Sequence, residues 1–420
     1  MRFLRYTGIV AATVLAALGM ATVGASAEEL KAGTVISAAN IDKVKNDTFE
    51  GHKIGDMIPD KLDMQIRKYN QKLKLRHSAE VPIDKRLVEA TKNSKAVYDP
   101  KTRTVQGWVA GAPFPNVKAD DPNAADKLMW NHHYGQPHGN FQRYPDFAFV
   151  FIDGKKGVER TQIWTWNRYF MKGRLGEKST IEGDGKTFTK VLMFAKFPKD
   201  IAGLGTFTIR YDSPGFEDSW AYLKSVRRVR RLPGGTWMDP LGGTDMLNDD
   251  QESFNAYPTW YKSYKLLGKR WVLGVAHSGL PNWIEGKQEL KDKFPRIDTV
   301  NPPYWNSIDE WEPREVWVIE AVPPQEHPYS KKILYLDAQL NRFLFMEAYD
   351  RKGEFWKWMD VHLASIKADD GSPAVFSALG FIIDTKKNHA TVWVVPQTVS
   401  IVNASKPDAL SLGMLEAAGR

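Results

Sequence analysis

The sequence predicts a β-rich α+β protein organised around one large antiparallel sheet. From about residue 141 onward, short segments alternate polar and apolar residues and end at turn signals. The 420 residues also include 15 Trp and 15 Tyr, side chains with apolar bodies and polar tips that suit broad sheets and ligand walls. The stretch before residue 141 reads instead as helix and loop.

Residues 1–27 have the layout of a cleavable signal peptide. Arg2 and Arg5 precede an uncharged run from Gly8 to Gly24, and Ala25-Ser26-Ala27 forms a small-x-small site. A membrane anchor is the alternative, but the run is barely long enough to span and is rich in Ala, Gly and Thr. Cleavage implies export, and in a Gram-negative bacterium the periplasm. No later segment is apolar for long enough to make a transmembrane helix.

Residues 28–140 are expected to form a helical and loop region packed on the sheet. Lys61–Leu75 carries apolar residues at Leu62, Ile66, Tyr69 and Leu73, a helical spacing. A weaker helix is expected over Ile83–Lys95, a Pro- and Gly-rich loop over 111–125, and a short helix ending near His132. Residues 141–420 are expected to be the sheet domain. Its strands begin with Asp146–Ile152, Glu159–Met171, Thr187–Phe197, Gly205–Tyr211 and Asp218–Arg231, and further candidates extend to Ala390–Val399. Phe376–Ile383 is apolar throughout, so periodicity leaves it open between a strand and another buried segment.

The chain has no cysteine, which excludes disulfides, thiolate nucleophiles and Cys-ligated metals. It carries a net charge of +8, a mildly basic balance that suits encounters with anionic headgroups. No nucleophile elbow, P-loop, dinucleotide fingerprint or HExxH motif is present. His132, His133 and His138 are the densest imidazole cluster and weak candidates for a metal. Their spacing matches no ligand framework, so hydrogen-bonded histidines on a surface loop are the expectation. Asp245, Asp249, Asp250 and Glu252 lack the order of a calcium loop and read as caps of a helix near Asp249. Arg227–Arg231 is a basic run in an exported chain, which argues against nucleic acid. In a strand, Arg228 and Arg230 would share one face, either on a solvated edge strand or as a row suited to carboxylate, phosphate or lipid headgroups.

The stretch 218–254 carries a resemblance. Asp218, Trp220, Tyr222, Arg227, Arg228, Arg230 and Arg231 precede Gly243, Asp245 and Asp250. This order resembles the outer-membrane lipoprotein-sorting-like (LolA/LolB-like) superfamily, with Lys224 where a Pro is usual. GAPFP at 111–115, Asp121-Pro122, Trp130-Asn131, YKLLGK at 264–269, PREVWVIEA at 313–321 and HPYSKKILYLD at 327–337 are similar to a branch of unknown function. The resemblance implies a strongly curved, incompletely closed antiparallel sheet, a half-barrel with helices on its concave side. It also implies a non-enzymatic periplasmic carrier or chaperone for lipid or other hydrophobic cargo, with no cofactor, feeding an inner-membrane exporter or an outer-membrane β-barrel.

Candidate ligand-binding residues are Trp164, Trp166, Phe194, Phe207, Trp220, Tyr222, Arg228, Arg230 and Asp245. Ile163, Leu192 and Ile209 are further wall positions, and the sequence leaves open which strand parity faces inward. Two other readings stand beside the carrier. One is an accessory scaffold subunit with a filled core. The other is a glycan-binding or glycan-cleaving protein, for which a pair of carboxylates need have no fixed spacing in sequence.

Overall fold

The computed structural model describes residues 27–176, 180–396, 399–406 and 408–420. The expected signal peptide, apart from Ala27, lies outside the described residues. The N-terminal region holds short strands β1 (Val35–Ile36), β2 (Thr48–Phe49), β3 (His52–Lys53), β4 (Leu73–Leu75), β5 (Val97–Asp99) and β6 (Thr104–Gln106). Its helices are α1 (Ile41–Val44), α2 (Asp60–Tyr69), α3 (Lys85–Lys92) and α4 (Ala124–Tyr134). Then come β7 (Phe141–Asp153), β8 (Gly157–Phe170), β9 (Thr187–Phe197), β10 (Gly205–Tyr211), β11 (Asp218–Leu223), β12 (Arg228–Arg231) and β13 (Ser263–Gly274). Helix α5 (Leu290–Lys293) precedes β14 (Ile297–Asp298), β15 (Asn306–Ser307), β16 (Glu310–Val322), β17 (Tyr329–Asp337) and β18 (Phe343–Asp350). The chain ends with β19 (Phe355–Lys367), β20 (Pro373–Asp384), β21 (His389–Val394), β22 (Ser400–Val402) and α6 (Leu412–Gly419).

Among the described residues, one sheet gathers 16 strands. Its main order is β13-β16-β17-β18-β19-β20-β21-β7-β8-β9-β10-β11-β12, antiparallel throughout. The short β4 pairs in parallel with the start of β16 and in antiparallel with β1, so the sheet is mixed. β12 and β13 are its unjoined ends, and the sheet does not close into a barrel. β13 lies on an edge and places Lys265, Lys269 and Arg270 along it, charges that discourage pairing with another chain. Near the centre both faces are covered, so β18 and β20 are apolar at both parities instead of alternating.

Several sequence boundaries shift for local reasons. The first long helix ends at Tyr69, because Asn70 adopts φ 57° and its N–H caps the Gln65 carbonyl. Leu73–Leu75 is then free to join the sheet. Helix α3 spans only Lys85–Lys92, with the Asp84 carboxylate accepting from the Arg86 N–H at 2.8 Å. Asp218–Arg231 is a hairpin, not one strand: it reverses at residues 224–227, where Arg227 has φ 49°. Conversely, Tyr261–Leu267 and Arg270–Ala276 merge into β13 across a bulge at Gly268 (φ 147°).

The sheet is strongly curved, and two arginines show it. Arg342 sits in the β17–β18 turn and Arg168 on β8, five strand spacings from β18 and about 24 Å away on a flat sheet. Both guanidiniums instead reach Glu252, at 3.1 and 3.3 Å. The face they share is therefore the concave one. Helix α4 and the segment 232–262 occupy much of it.

That segment is fastened by buried charge. The Lys332 ammonium on β17 meets Asp249 at 2.8 Å and Asp250 at 2.9 Å, all three fully buried. Tyr261 donates to Asp249 at 2.5 Å, Tyr329 donates to Asp250 at 2.7 Å, and Asp250 accepts the Leu247 N–H at 2.8 Å. Burial pushes Asp249 up, but Lys332 and His327 hold it down at about 2. The 3₁₀ helix Asn248–Ser253 does hold these acids, and Asp250 caps its start. On the convex side, His362 bridges Asp309 at 2.9 Å and Asp360 at 3.2 Å, and the two carboxylates raise it to about 9 against burial.

His132, His133 and His138 are not on a surface loop. All three are buried at the end of α4 and just beyond it. The helix runs two residues further than expected and carries His132 and His133 into the core. Burial lowers all three, His138 to about 3.

Two predictions follow from these charges. Lys332→Met leaves Asp249 and Asp250 buried without their cation, and urea unfolding should show a loss of about 3–5 kcal/mol; an unchanged midpoint would refute the fastening role. The second concerns pH. His138 titrates at about 3 when folded and at about 6.5 when unfolded, so the unfolded chain takes up a proton as pH falls below 6.5 and the folded chain does not. Stability therefore drops on acidification. His362 acts oppositely: its stabilisation is complete below about 6.5 and fades towards about 9. In His138→Phe, the stability lost between pH 7.5 and about pH 5 should shrink by about 2 kcal/mol.

Candidate functional site

Strand pairing assigns each side chain to a face. Trp166 on β8 pairs with Met193 on β9, Met193 with Thr206 on β10, and Thr206 with Ala221 on β11. With Trp164, Arg168, Val191, Thr208, Arg210 and Ser219 they form the concave floor. The alternate parity faces outward. Phe194, Phe207, Trp220 and Tyr222, with Leu192 and Ile209, pack with Leu415 of α6 in a separate core. Ile163 shares that outward parity. The expected ligand wall therefore mixed two faces: Trp164 and Trp166 belong to the interior, while the other four aromatics are structural and outward. Nothing in the strand pattern foretold that the C-terminal helix would cover the second face.

The plug leaves two voids on the concave floor. One, of about 290 Å³, lies between α4, β8–β10 and the segment 232–256, and falls at the lower end of small-molecule sites. The other, of about 80 Å³, is bounded by Tyr144, Phe147, Phe149, Met246, Trp393 and Val395. Trp166, Arg168, Met193, Leu241, Gln251 and Glu252 wall both. The smaller void is apolar. Its Trp393 ring fits only because Gly380 stands opposite: a Cβ there would come within 1.8 Å of the indole.

The larger void is polar at one end. Arg168, Arg210, Glu217, Glu252, His132 and His133 line it, and Arg342 stands behind Glu252. Arg342 donates to His132 Nδ1 at 2.8 Å, so His132 keeps its proton on Nε2 and donates it to the Phe254 carbonyl at 3.0 Å. Burial and Arg342 together keep His132 neutral. Glu252 is ionised: burial raises it, but Arg168, His138 and Arg342 pull it to about 2. Glu252 and Ser253 both have positive φ, 54° and 72°, a strained backbone that turns the carboxylate towards the two arginines. Arg210 bonds the Asn255 carbonyl and stands 3.9 Å from Glu217. Glu217 Oε2 and His133 Nε2 are buried without a hydrogen-bond partner. The void thus has polar groups left unused on its wall.

Asp245 lies in the fastening of the plug, not on either void. It accepts from His389 at 2.6 Å and Thr391 at 2.7 Å. Arg228 and Arg230 are exposed on the edge strand β12; they share the parity of the floor but line neither void. Among the described residues, no group of three or more His, Asp or Glu is placed to hold a metal ion. His133 stacks on Phe188, and His138 packs by Phe170. Arg168, Arg210, Arg342, Glu252 and Trp237 went unsingled in the sequence as wall groups. A signal did exist for Arg168: it shares its parity with Trp164 and Trp166, so a charge fell on an inward position.

A larger cleft, of about 1010 Å³, opens between Pro82–Arg86, Arg174–Gly176 and Asp369–Pro373. Its polar groups serve one another. Arg86 spans Asp84 and Asp370 at 2.6 and 2.8 Å, and Asn403 donates to Asp370 at 3.1 Å. The concave voids are therefore the better candidate site.

A Pseudomonas aeruginosa protein, the uncharacterized protein PA3922, is 23% identical over 354 residues, 78% of this chain and 68% of the relative. A crystal structure from Vibrio parahaemolyticus, assigned as an outer membrane lipoprotein-sorting protein domain, is 14% identical and covers 69% of this chain and 97% of its own, with a TM-score of 0.47. A DUF1329 family protein from Desulfovibrio piger is 16% identical, covering 66% of this chain and 92% of its own, with a TM-score of 0.44. The profile of DUF1329, a protein of unknown function, matches residues 35–411, and on that extent this chain belongs to the DUF1329 family.

Proposed function

We propose that this protein is a non-enzymatic periplasmic carrier or chaperone that shelters part of an amphipathic molecule against its concave sheet. One observation carries the reading: two voids share a wall, one apolar and the other lined by Arg168, Arg210 and unpartnered polar atoms. A tail lodged beside Trp166, Phe149 and Trp393 leaves water at roughly 0.8 kcal/mol per methylene. A polar head then reaches Arg168, Arg210 and His133. The plug limits what enters, so the guest is a chain segment or small amphiphile, not a folded domain.

The other readings have less support. Glycan cleavage needs two carboxyl groups free to face a sugar ring, whereas Glu252 is engaged by Arg168 and Arg342 and Glu217 stands beside Arg210. A scaffold with a filled core needs no void, and it leaves Glu217 Oε2 and His133 Nε2, buried without hydrogen-bond partners, without a purpose.

Native mass spectrometry of protein purified after export should show a lipid or other apolar adduct. Met193→Trp places an indole between the two voids and should lower affinity for that adduct at least about tenfold, with the melting temperature little changed. Adduct-free parent protein, or a variant that binds as the parent does, would sink the carrier reading. Adduct-free protein that crosslinks to an envelope partner would favour the scaffold.

A further inference from the structure

The basic run on β12 has no role in the concave site, and among the described residues its arginines have no ion-pair partner except Arg231, which pairs with Asp218. Around them the surface is unusual. Leu223 and Val226, 36% and 49% exposed, sit in the β11–β12 hairpin with Lys224, Arg227 and Arg228. Phe197, 52% exposed, lies beside Lys199 in the β9–β10 turn. The two turns touch, because the Lys224 ammonium donates to the Lys199 carbonyl at 2.8 Å. Three bare apolar side chains thus share one tip of the molecule with Lys199, Lys224, Arg227, Arg228 and Arg230. The nearby acids are largely used: Asp146 pairs with Lys196, Asp218 with Arg231 and Glu416 with Arg420, leaving Asp200 and the C-terminal carboxylate, which the end of α6 brings beside the β9–β10 turn.

The tip is also continuous with the concave floor. Arg230 pairs with Ala221, Ala221 with Thr206, Thr206 with Met193, and Met193 with Trp166. Arg230 therefore stands at the open rim of the cross-strand row that floors the voids, about 19 Å from Trp166.

We propose that the β9–β10 and β11–β12 turns dock this protein on an anionic lipid bilayer. Phe197, Leu223 and Val226 enter the headgroup boundary, and the five cations meet lipid phosphates. Neither set suffices alone. Three apolar side chains are a weak anchor, and a cationic tip without them is a diffuse electrostatic contact; together they make the two-part signature of interfacial binding. The arrangement also turns the open rim of the floor towards the membrane.

The test is vesicle co-sedimentation of the exported, purified protein. Vesicles of phosphatidylcholine alone are compared with vesicles of phosphatidylcholine mixed with phosphatidylglycerol. Binding should appear only with the anionic lipid and fade in high salt. Arg228→Glu with Arg230→Glu should weaken it at least about tenfold, and Val226→Asp should weaken it at low salt as well. These residues are exposed, so the melting temperature should hold, and cargo binding in the absence of vesicles should stay as in the parent. Equal binding to neutral vesicles, no binding to either, or variants that bind like the parent would overturn the proposal. So would capture of an acidic protein by the tip from a protein that ignores anionic vesicles.

Discussion

A single buried ammonium organises this molecule. Lys332 rises from β17, the third strand in from the β13 edge, and meets Asp249 and Asp250, which lie on a segment with little regular structure of its own. In water such a segment would gain little by ordering. Here its two carboxylates have been stripped of solvent, and Lys332, two tyrosine hydroxyls, His327 and the backbone N–H groups of Leu247 and Ala256 stand in for it. The energetic cost of leaving any of these groups unpaired makes the position of the segment nearly all-or-none. The shape of the concave face, and hence of the voids, depends on that fixed placement.

A second set of charges acts across the curvature. Arg168 and Arg342 belong to strands far apart in the sheet order, yet both lean on Glu252. They behave as a brace between two limbs of an open sheet. The same arginine that braces also borders both voids, so the strength of the brace and the chemistry of the cavity wall are not separate properties. On the carrier reading, a guest carrying negative charge would compete with Glu252 for Arg168, which would couple occupancy to how tightly the limbs are held.

Much of the fold was legible because sheets have a short period. Gly205–Tyr211 matches its strand at both ends, since polar and apolar residues alternate along it, and Thr187–Phe197 matches too, although Val191–Ala195 is apolar throughout. Where the signal failed, a single backbone angle or a long-range partner decided. Asn70 ended a helix that spacing would have continued, and Arg227 reversed a strand that apolar alternation would have extended. The site was less legible than the fold. Alternation says that Trp166 and Phe207 lie on opposite faces only once a register joins their strands, and register is a property of pairs. The convergence of Arg168, Arg342 and Glu252 was beyond reach, because it follows from curvature integrated over many strands. The family motif residues Asp245 and Asp250 stood out in sequence, yet they fasten the plug and do not line the voids.

Gly380 shows how such a cavity can be tuned. The Trp393 indole lies where a side chain at 380 would begin, and it forms one wall of the smaller void. The two positions are therefore sterically coupled. A larger residue at 380 requires a smaller one at 393, and the volume of the void then changes by the difference between an indole and its replacement. The capacity of this corner of the molecule is thus set by a pair and not by either side chain alone.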